Sequence, residues 1–305
     1  MTQPLTGKLE GGIASVGIVV RERSPEILRA LDRLTAWLGE RSVGITVERE
    51  GGPASAPGQN GLDVPAGSLD LVIALGGDGT LLRAARAVVG TDTPVLGVNL
   101  GRLGFLTAFP DAELESGLAH VFDGRAELDY RFTLRGHIER AGRVHGDNFF
   151  ALNDIVLHTS GAARVTPLTL HVGTGADREE VGSFAADGVI LATPTGSTAY
   201  SMSAGGPIIV PDVECVVVTP ICPHSLAVRP LVIPARAVLS VSSLDPDARH
   251  QVTVDGQVER SLEASEAVVV AREGRPVALV RLPGQTFFRT MRRKLNWAAR
   301  APERA

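Results

Sequence analysis

The sequence predicts two domains of different class: an α/β N-terminal domain and a mostly β C-terminal domain. Up to about residue 130, short apolar runs alternate with segments of helical periodicity, which is the pattern of a parallel sheet covered by helices. Beyond residue 130 the apolar runs are short and strand-like, and Pro, Gly, Asp and Ser separate them. We therefore expect a Rossmann-like parallel sheet first and antiparallel strands afterwards.

Length and composition agree with a globular protein of two ordinary domains. The chain has 305 residues, of which 44% are hydrophobic and 21% charged. The formal net charge of −4 gives no general attraction to nucleic acid or to an anionic membrane surface. The two cysteines make no disulfide framework, and neither a signal-peptide pattern nor an apolar stretch of the roughly 20 residues of a spanning helix is seen. We expect a cytoplasmic protein.

The first elements are predicted as strand, helix and strand. Ser15–Val20 is apolar and predicts a buried strand. Ser24-Pro25-Glu26 predicts a helix start, with a serine cap, a proline in the first turn and an acid at the positive end. The further segments predicted in this domain are a buried helix face at Leu31, Leu34 and Leu38, strands at 45–47, 69–75 and 94–98, a loop at 51–61, and helices at 81–89 and 111–122.

The C-terminal domain is predicted from short strands and two helical segments. Its clearest apolar runs are 168–172, 189–192, 216–218, 237–241 and 267–270. A short helix is expected after Ser197, and the basic segment 290–299 could be helical. We assign residues 1–130 to the first domain, 131–285 to the second, and 286–305 to a tail that packs back on the first.

The sharpest local feature is Gly76-Gly77-Asp78-Gly79-Thr80, directly after a predicted buried strand. Open α/β sheets bind ligands at the carboxyl ends of their strands. Glycines permit a sharp turn and close approach of a ligand, and the following helix directs its positive end at the turn. We therefore predict a phosphate site at this turn, formed by Gly76, Gly77, Gly79 and Thr80.

An aspartate is unexpected in a loop that only binds phosphate, because like charges repel. Asp78 could accept a proton from an attacking hydroxyl or help to hold Mg²⁺, and the alternative is a helix cap. Arg83 adds a positive charge within reach. The only lysines are Lys8 and Lys294, so a phosphate loop with a lysine after its second glycine is excluded.

Two polar clusters lie in the second domain. Residues 193–203 carry seven hydroxyl side chains, which could hydrogen-bond a sugar or a base edge. The alternative, a serine-rich turn with a helix cap, accounts for Ser197 or Thr198 but not for the whole run. Asn153-Asp154 could chelate two ribose hydroxyls, although in isolation a plain turn is favoured.

Several other sites lack support. The histidines and cysteines do not have the spacing of a metal-ligand set. There is no G-x-S-x-G elbow of a serine hydrolase, and no G-x-G-x-x-G after a strand as in dehydrogenases.

Taken together, the three clusters resemble the NAD kinase family. The resemblance covers nearly the whole chain, in the family's order. The 193–207 stretch is highly specific, whereas the glycine-aspartate loop alone also occurs in lipid kinases and phosphofructokinases. The motifs that carry the resemblance are Gly76-Gly77-Asp78-Gly79-Thr80, Asn153-Asp154, residues 187–207 and 220–230, Asp255-Gly256-Gln257 and Arg293-Lys294-Leu295-Asn296-Trp297.

The resemblance implies phosphorylation of the adenosine ribose 2′-hydroxyl of NAD, with Mg²⁺ and with ATP, another nucleoside triphosphate or polyphosphate as donor. It implies a site between the domains, and a homodimer or homotetramer in which a neighbouring subunit helps to close that site. Asp78 takes the position of the general base. The family more often has glutamate where this chain has Asp154. The positions that match NAD contacts are Asp78, Gly79, Arg83, Asn153, Asp154, Arg164, Asp187, Thr198, Ala199, Tyr200, Ser201, Met202, Ser203 and Gln257.

Two other functions stay open. A lipid or sphingoid-base kinase would share the glycine-aspartate loop but would need an apolar acceptor pocket, and the hydroxyl-rich run argues against it. A non-catalytic dinucleotide sensor would need no carboxylate at position 78, so Asp78 counts against that function.

Overall fold

The computed structural model describes residues 6–9, 12–20, 24–48, 62, 65–102, 104–159, 166–247 and 249–297. These residues form two compact units. The first holds the described residues up to Tyr130 together with those from Val277 onward, and the second runs from Arg131 to Pro276.

The described residues contain twenty strands and five α-helices. The strands are β1 Thr6–Lys8, β2 Ser15–Val20, β3 Gly44–Val47, β4 Leu71–Gly76, β5 Val95–Asn99, β6 Phe109–Pro110, β7 Glu127–Arg131, β8 Leu134–Arg140, β9 Arg143–Ala151, β10 Asp154–Thr159, β11 Thr166–Val172, β12 Glu179–Ala186, β13 Gly188–Ala192, β14 Cys215–Ile221, β15 Leu231–Pro234, β16 Leu239–Ser243, β17 His250–Val254, β18 Val258–Leu262, β19 Glu266–Arg272 and β20 Val277–Arg281. The helices are α1 Pro25–Gly39, α2 Asp78–Val88, α3 Leu114–Phe122, α4 Tyr200–Ser203 and α5 Phe287–Leu295.

The first unit is built on a sheet of eight strands in the order β1-β7-β20-β5-β4-β2-β3, with β6 beside β5. Strands β3, β2, β4 and β5 run parallel, and β20 joins β5 in the same direction. The parallel α/β prediction is therefore confirmed. The predicted loop at 51–61 lies outside the described residues.

Helices cover both faces of this sheet. Leu96 and Val98 of β5 share one apolar core with residues of α1 and α3. A Cβ at Gly97, between them, would contact Leu81 of α2. Because alternate residues of a strand face opposite sides, α2 lies on the other face of the sheet.

The two helix starts differ in how well the sequence predicted them. Ser24 caps α1 as predicted, with its Oγ accepting the N–H of Ile27 at 3.4 Å. The second helix, expected from about Leu81, begins at Asp78 instead. The extended residue Gly77 precedes it, and its carbonyl accepts the N–H groups of Thr80 and Leu81, so the helix starts three residues earlier than predicted.

The second unit consists of two six-stranded antiparallel sheets that share one apolar core. The strand orders are β15-β14-β13-β10-β17-β18 and β12-β11-β16-β19-β8-β9. This confirms the prediction of a mostly β second domain, and α4 is the predicted short helix after Ser197.

The chain returns to the first unit before the boundary proposed at residue 285. Strand β20 pairs with β5, with Leu279 opposite Val95. Its run of four buried apolar residues, from Val277 to Val280, suits a parallel strand that is covered on both faces. Helix α5 follows, and its Phe287 ring lies 6.3 Å from that of Phe105 in the same unit.

The described part of the chain contains no helix that is both long enough and apolar enough to cross a membrane. Cys215 is buried, Cys222 is exposed, and neither is in a disulfide.

Candidate active site

Asp78 is the first residue of α2, at the carboxyl end of the buried strand β4. The N-cap residue of this helix is Gly77, not Asp78. Oδ2 of Asp78 accepts the backbone N–H of Phe105 at 2.7 Å, and Oδ1 accepts that of Leu106 at 3.1 Å. The carboxylate is thus held by a second segment of the unit, and the helix-cap alternative is not what the structure has.

That second segment follows the next strand of the sheet. Asn99 ends β5 and is buried, and its Oδ1 accepts the N–H of Gly101 at 3.0 Å. The N–H of Leu100 donates to the carbonyl of Gly76 at 2.9 Å, which joins the ends of β4 and β5. The chain then returns past the Asp78 side chain at Gly104, where a Cβ would lie 1.9 Å from Oδ1.

The predicted donor-phosphate residues surround the start of α2. Gly76 is the last residue of β4, and a Cβ added at Gly77 would meet nothing within 4 Å, so space in front of this turn is open. Gly79 is exposed, whereas Thr80 is buried. A helix N-terminus behind an open glycine turn is an arrangement that attracts phosphate.

Arg83 lies one turn further along α2 and is paired. Its Nη2 contacts Oε2 of Glu48 at 2.8 Å and also donates to the carbonyl of Val20. The Glu48 side chain is only 11% exposed. In this structure the guanidinium therefore neutralises Glu48, and the NAD contact of Arg83 stays a prediction.

A pocket of about 700 Å³ opens in the second unit. It collects the predicted residues Asn153, Asp154, Asp187, Ala199 and Tyr200. Its walls also include His158, Thr159, Cys222, Thr253, Asp255 and Gly256. Five of the residues predicted to contact NAD are thus brought to one cavity from three separate stretches of sequence.

Asp154 lies in the wall of this pocket and is 4% exposed. No described residue hydrogen-bonds its carboxyl group. Burial, and secondarily the negative charge of Asp255, raise the pKa of Asp154 to about 7. This side chain is therefore a buried acid that faces a cavity and has no hydrogen-bond partner among the residues that the structure describes.

Asp255 supports the same turn from a neighbouring hairpin. Its Oδ1 accepts the N–H groups of Asn153 at 2.8 Å and Asp154 at 3.1 Å, and Oδ2 accepts that of Leu152 at 3.1 Å. The sequence singled out Asp255-Gly256 only through the family resemblance. An Asp-Gly pair between strands predicts a hairpin turn, and that signal does not extend to a contact with Asn153.

The hydroxyl-rich run divides into structural and accessible groups. The buried hydroxyls form hydrogen bonds within the unit. Thr193 donates to the carbonyl of Leu152 and Ser197 to that of Pro194, both at 2.6 Å. The hydroxyl of Thr195 accepts a bond from Arg131 at 3.1 Å, and that of Ser201 lies 2.8 Å from the hydroxyl of Thr219. Thr198, Ala199 and Met202 are half-buried, whereas Tyr200 and Ser203 are exposed. Much of the run thus builds the turn that places Ala199 and Tyr200 at the pocket.

Gln257 is exposed at the turn between β17 and β18, and its N–H donates to the carbonyl of Val254 at 2.9 Å. Arg164 lies outside the described residues. Where the structure describes the chain, no three His, Cys, Asp or Glu side chains come together to hold a metal ion. His158 is at the pocket, with Nε2 2.9 Å from Oγ1 of Thr253.

A carboxylate held at a helix start beside an open glycine turn, at the carboxyl end of a parallel sheet, is the arrangement expected of a phosphotransferase. The model of the ATP-NAD kinase N-terminal domain matches residues 16–126, and that of the ATP-NAD kinase C-terminal domain matches residues 152–282. The chain belongs to the NAD kinase family.

Individual relatives agree with this assignment. The NAD kinase of Gemmatimonas aurantiaca is 47% identical over 75% of this chain and 78% of its own. That of Syntrophotalea carbinolica is 39% identical over 93% and 99%. The structure of yeast NADH kinase complexed with NADH superimposes with a TM-score of 0.85 at 27% identity, covering 97% of this chain and 91% of that one. An NAD kinase from Archaeoglobus fulgidus has the same fold, with a TM-score of 0.69 at 24% identity over 92% of this chain and 98% of that one.

Proposed function

We propose that this chain transfers the terminal phosphoryl group of ATP, of another nucleoside triphosphate or of polyphosphate to the adenosine ribose 2′-hydroxyl of NAD, giving NADP. Membership of the family supports the reaction. The single observation that carries the assignment of residues is the Asp78 carboxylate, which two backbone N–H groups hold at the start of α2.

Asp78 is the general base of this proposal. Each of its oxygens accepts one backbone N–H, so the side chain is oriented while lone pairs remain for a substrate. The ribose oxygen attacks the terminal phosphorus and the hydroxyl proton passes to Asp78. The bond between that phosphorus and the leaving nucleoside diphosphate or shortened polyphosphate breaks. Because the carboxylate is already oriented, little reorganisation is needed for this transfer.

Gly76, Gly77, Gly79 and Thr80 are the proposed donor-phosphate residues. The open space at Gly77 lets a phosphate approach the backbone, and the positive end of α2 favours its negative charge. Thr80 is only 5% exposed, so its side chain presents little surface to a bound phosphate.

The pocket of the second unit is the proposed acceptor site. Asn153 and Asp154 would bind ribose hydroxyls, and Asp187, Ala199 and Tyr200 would form further walls. Of the remaining residues matched to the family, Ser201 contributes through its buried bond to Thr219, which fixes the short helix α4. Asp78, Gly79, Arg83, Arg164, Thr198, Met202, Ser203 and Gln257 stay predicted NAD contacts.

Mg²⁺ fits this site as an ion that arrives with the donor. Magnesium is usually held by one or two carboxylates, waters and the substrate phosphates rather than by a protein cage. Asp78 would supply an oxygen ligand at the carboxyl end of β4, and the side-chain oxygen of Asn99 lies at the end of the adjacent strand β5. When bound, the ion would neutralise charge on the donor phosphates.

The test is one assay with the purified protein, Mg²⁺ and NAD against a panel of ATP, other triphosphates and polyphosphate. We expect NADP, with the new phosphate at the 2′ position by ³¹P NMR. A sphingoid base and a diacylglycerol are included as acceptors. Phosphorylation of a lipid without NADP formation, or NAD binding without turnover for any donor, would reject the proposal in favour of the two other functions.

The protein is also proposed to act as a homodimer or homotetramer. Strand β15 is an edge strand, and its Leu231 and Val232 side chains are exposed. Leu226, shortly before it, is 91% exposed. An exposed apolar edge suits pairing with a second copy. We expect Val232→Lys to lower the mass measured by light scattering, and an unchanged mass would contradict this interface. The cytoplasmic location stays a prediction.

A further inference from the structure

Residues 152–154 and the hairpin turn at Asp255 form a closed set of hydrogen bonds. The Asp255 carboxylate accepts the N–H groups of Leu152, Asn153 and Asp154 at 2.8 to 3.1 Å. In return, the N–H of Asp255 donates to the carbonyl of Asp154 at 2.9 Å. One buried side chain thus fixes three successive peptide groups.

We propose that Asp255 is a positioning residue for acceptor binding, which holds the Asn153–Asp154 turn in the conformation that presents both side chains to the pocket. This inference rests on the proposed function, in which that pocket takes the NAD ribose.

The geometry supports a specific role for a carboxylate at this position. Three backbone donors converge on two oxygens, and hydrogen bonds to an ionised acceptor are stronger than those between neutral groups. An amide could satisfy the donors of Asn153 and Asp154 but would turn an N–H₂ group toward that of Leu152. Asp255 also has φ of +50°, a conformation that aspartate and asparagine tolerate better than most residues.

The charge of Asp255 has a second consequence at the pocket. Burial and this charge raise the pKa of Asp154 to about 7, so its carboxyl group holds a proton below that pH. The other titratable side chains in the same walls are His158, Asp187, Tyr200 and Cys222. An ionised carboxylate accepts hydrogen bonds from two ribose hydroxyls, whereas the acid form must use one oxygen as a donor. Affinity for NAD should therefore rise as the pH increases through about 7.

Asp255→Asn and Asp255→Glu, compared with each other, separate these two effects. Asp255→Asn acts on both. It keeps the size and the tolerance of positive φ, but removes the charge and the bond to Leu152. The matched control is Asp245→Asn in another turn of the same unit, where Oδ1 accepts the N–H of Asp247 at 2.9 Å. Asp255→Glu keeps the charge but displaces the carboxylate by one methylene.

The experiment measures the NAD dissociation constant by calorimetry from pH 5.5 to 9, together with KM for ATP, on the parent and the three variants. At pH 9, where Asp154 is ionised, we expect Asp255→Asn and Asp255→Glu to bind NAD about 10-fold or more weakly, because the Asn153–Asp154 turn loses part of its support. A tenfold change corresponds to about 1.4 kcal/mol. KM for ATP should stay within about twofold. The midpoint of the pH profile should move to lower pH for Asp255→Asn only, and Asp245→Asn should match the parent.

Asp255→Asn with the NAD affinity and pH midpoint of the parent would overturn the inference. Equal weakening of NAD and ATP binding would also overturn it, because that result reports general loss of structure. If Asp255→Asn does not fold, Asp255→Glu decides the question. Its loss of NAD affinity must exceed any change in its KM for ATP, and equal changes would overturn the inference. A parent that binds NAD but makes no NADP rejects the proposed function and leaves this binding test intact.

Discussion

The backbone of Gly104 lies directly against the carboxylate of Asp78, so that a Cβ at position 104 would be 1.9 Å from Oδ1 and 2.5 Å from Cγ. The two following residues donate the N–H groups that hold this carboxylate. Glycine is therefore required at position 104, because a larger side chain would overlap the Asp78 carboxylate. The segment from Gly104 to Leu106 positions the proposed base.

Gly104→Ala should lower turnover by about 100-fold, because a misplacement of roughly 1 Å at a reacting group can cost that much. The added methyl group must displace either the Asp78 side chain or the segment that holds it. The measurement is kcat for NADP formation at saturating NAD and ATP, with melting temperature recorded alongside.

Gly101→Ala is the control for this prediction. It lies in the same segment, but its Cβ would meet nothing within 4 Å. We expect a kcat within about threefold of the parent, since alanine loses little where no contact is made. Similar losses in both variants would show that Gly104 has no special relation to Asp78.

Arg83→Met should destabilise the first unit by about 1–3 kcal/mol, the usual cost of leaving a buried polar group without its partner. It leaves the Glu48 carboxylate, which is 11% exposed, without its partner at 2.8 Å, and an uncompensated buried charge is costly. The comparison is Arg33→Met, whose partners Asp111 and Glu115 are 38% and 50% exposed. Each of these two exposed ion pairs is expected to contribute less than about 1 kcal/mol. Urea unfolding of both variants decides, and equal losses would contradict the difference in burial.

Asp154→Asn should stabilise the protein, and more so at high pH. The pKa of Asp154 is raised from 3.8 to about 7, so the native state retains a proton that the unfolded state has lost between these values. Stability is therefore lost as the pH rises from about 4 to about 7, with an upper limit of about 4 kcal/mol above pH 7. Asparagine removes this penalty, and urea unfolding at pH 5 and pH 8 measures it. The same gain at both pH values would contradict the raised pKa.

The elements that the sequence predicted well are those with local causes. The serine cap and proline at the start of α1, the buried strand before Gly76 and the short strands beyond Tyr130 each follow from a few neighbouring residues. The glycine-aspartate turn was identified from its composition in the same way, and the structure places Asp78 at the sheet edge where such turns bind phosphate.

What the sequence did not predict depends on residues that are distant along the chain. The sequence placed Arg83 near the glycine turn, but its ion pair with Glu48, which lies on another segment, has no local signal. The return of β20 to the first sheet depends on its pairing with β5. The role of Asp255 depends on contacts with residues about one hundred positions away. Propensity and periodicity carry no information about such pairs.

Asp78→Asn tests the account most directly. At saturating NAD and ATP we expect kcat to fall on the order of 10²–10⁴-fold, the usual contribution of a general base. The NAD dissociation constant should stay close to that of the parent, because asparagine preserves the size of the side chain. The melting temperature should fall only slightly, because the amide can accept only one of the two backbone N–H groups that Asp78 accepts. A folded variant that forms NADP at the rate of the parent would contradict the assignment of Asp78 as the base.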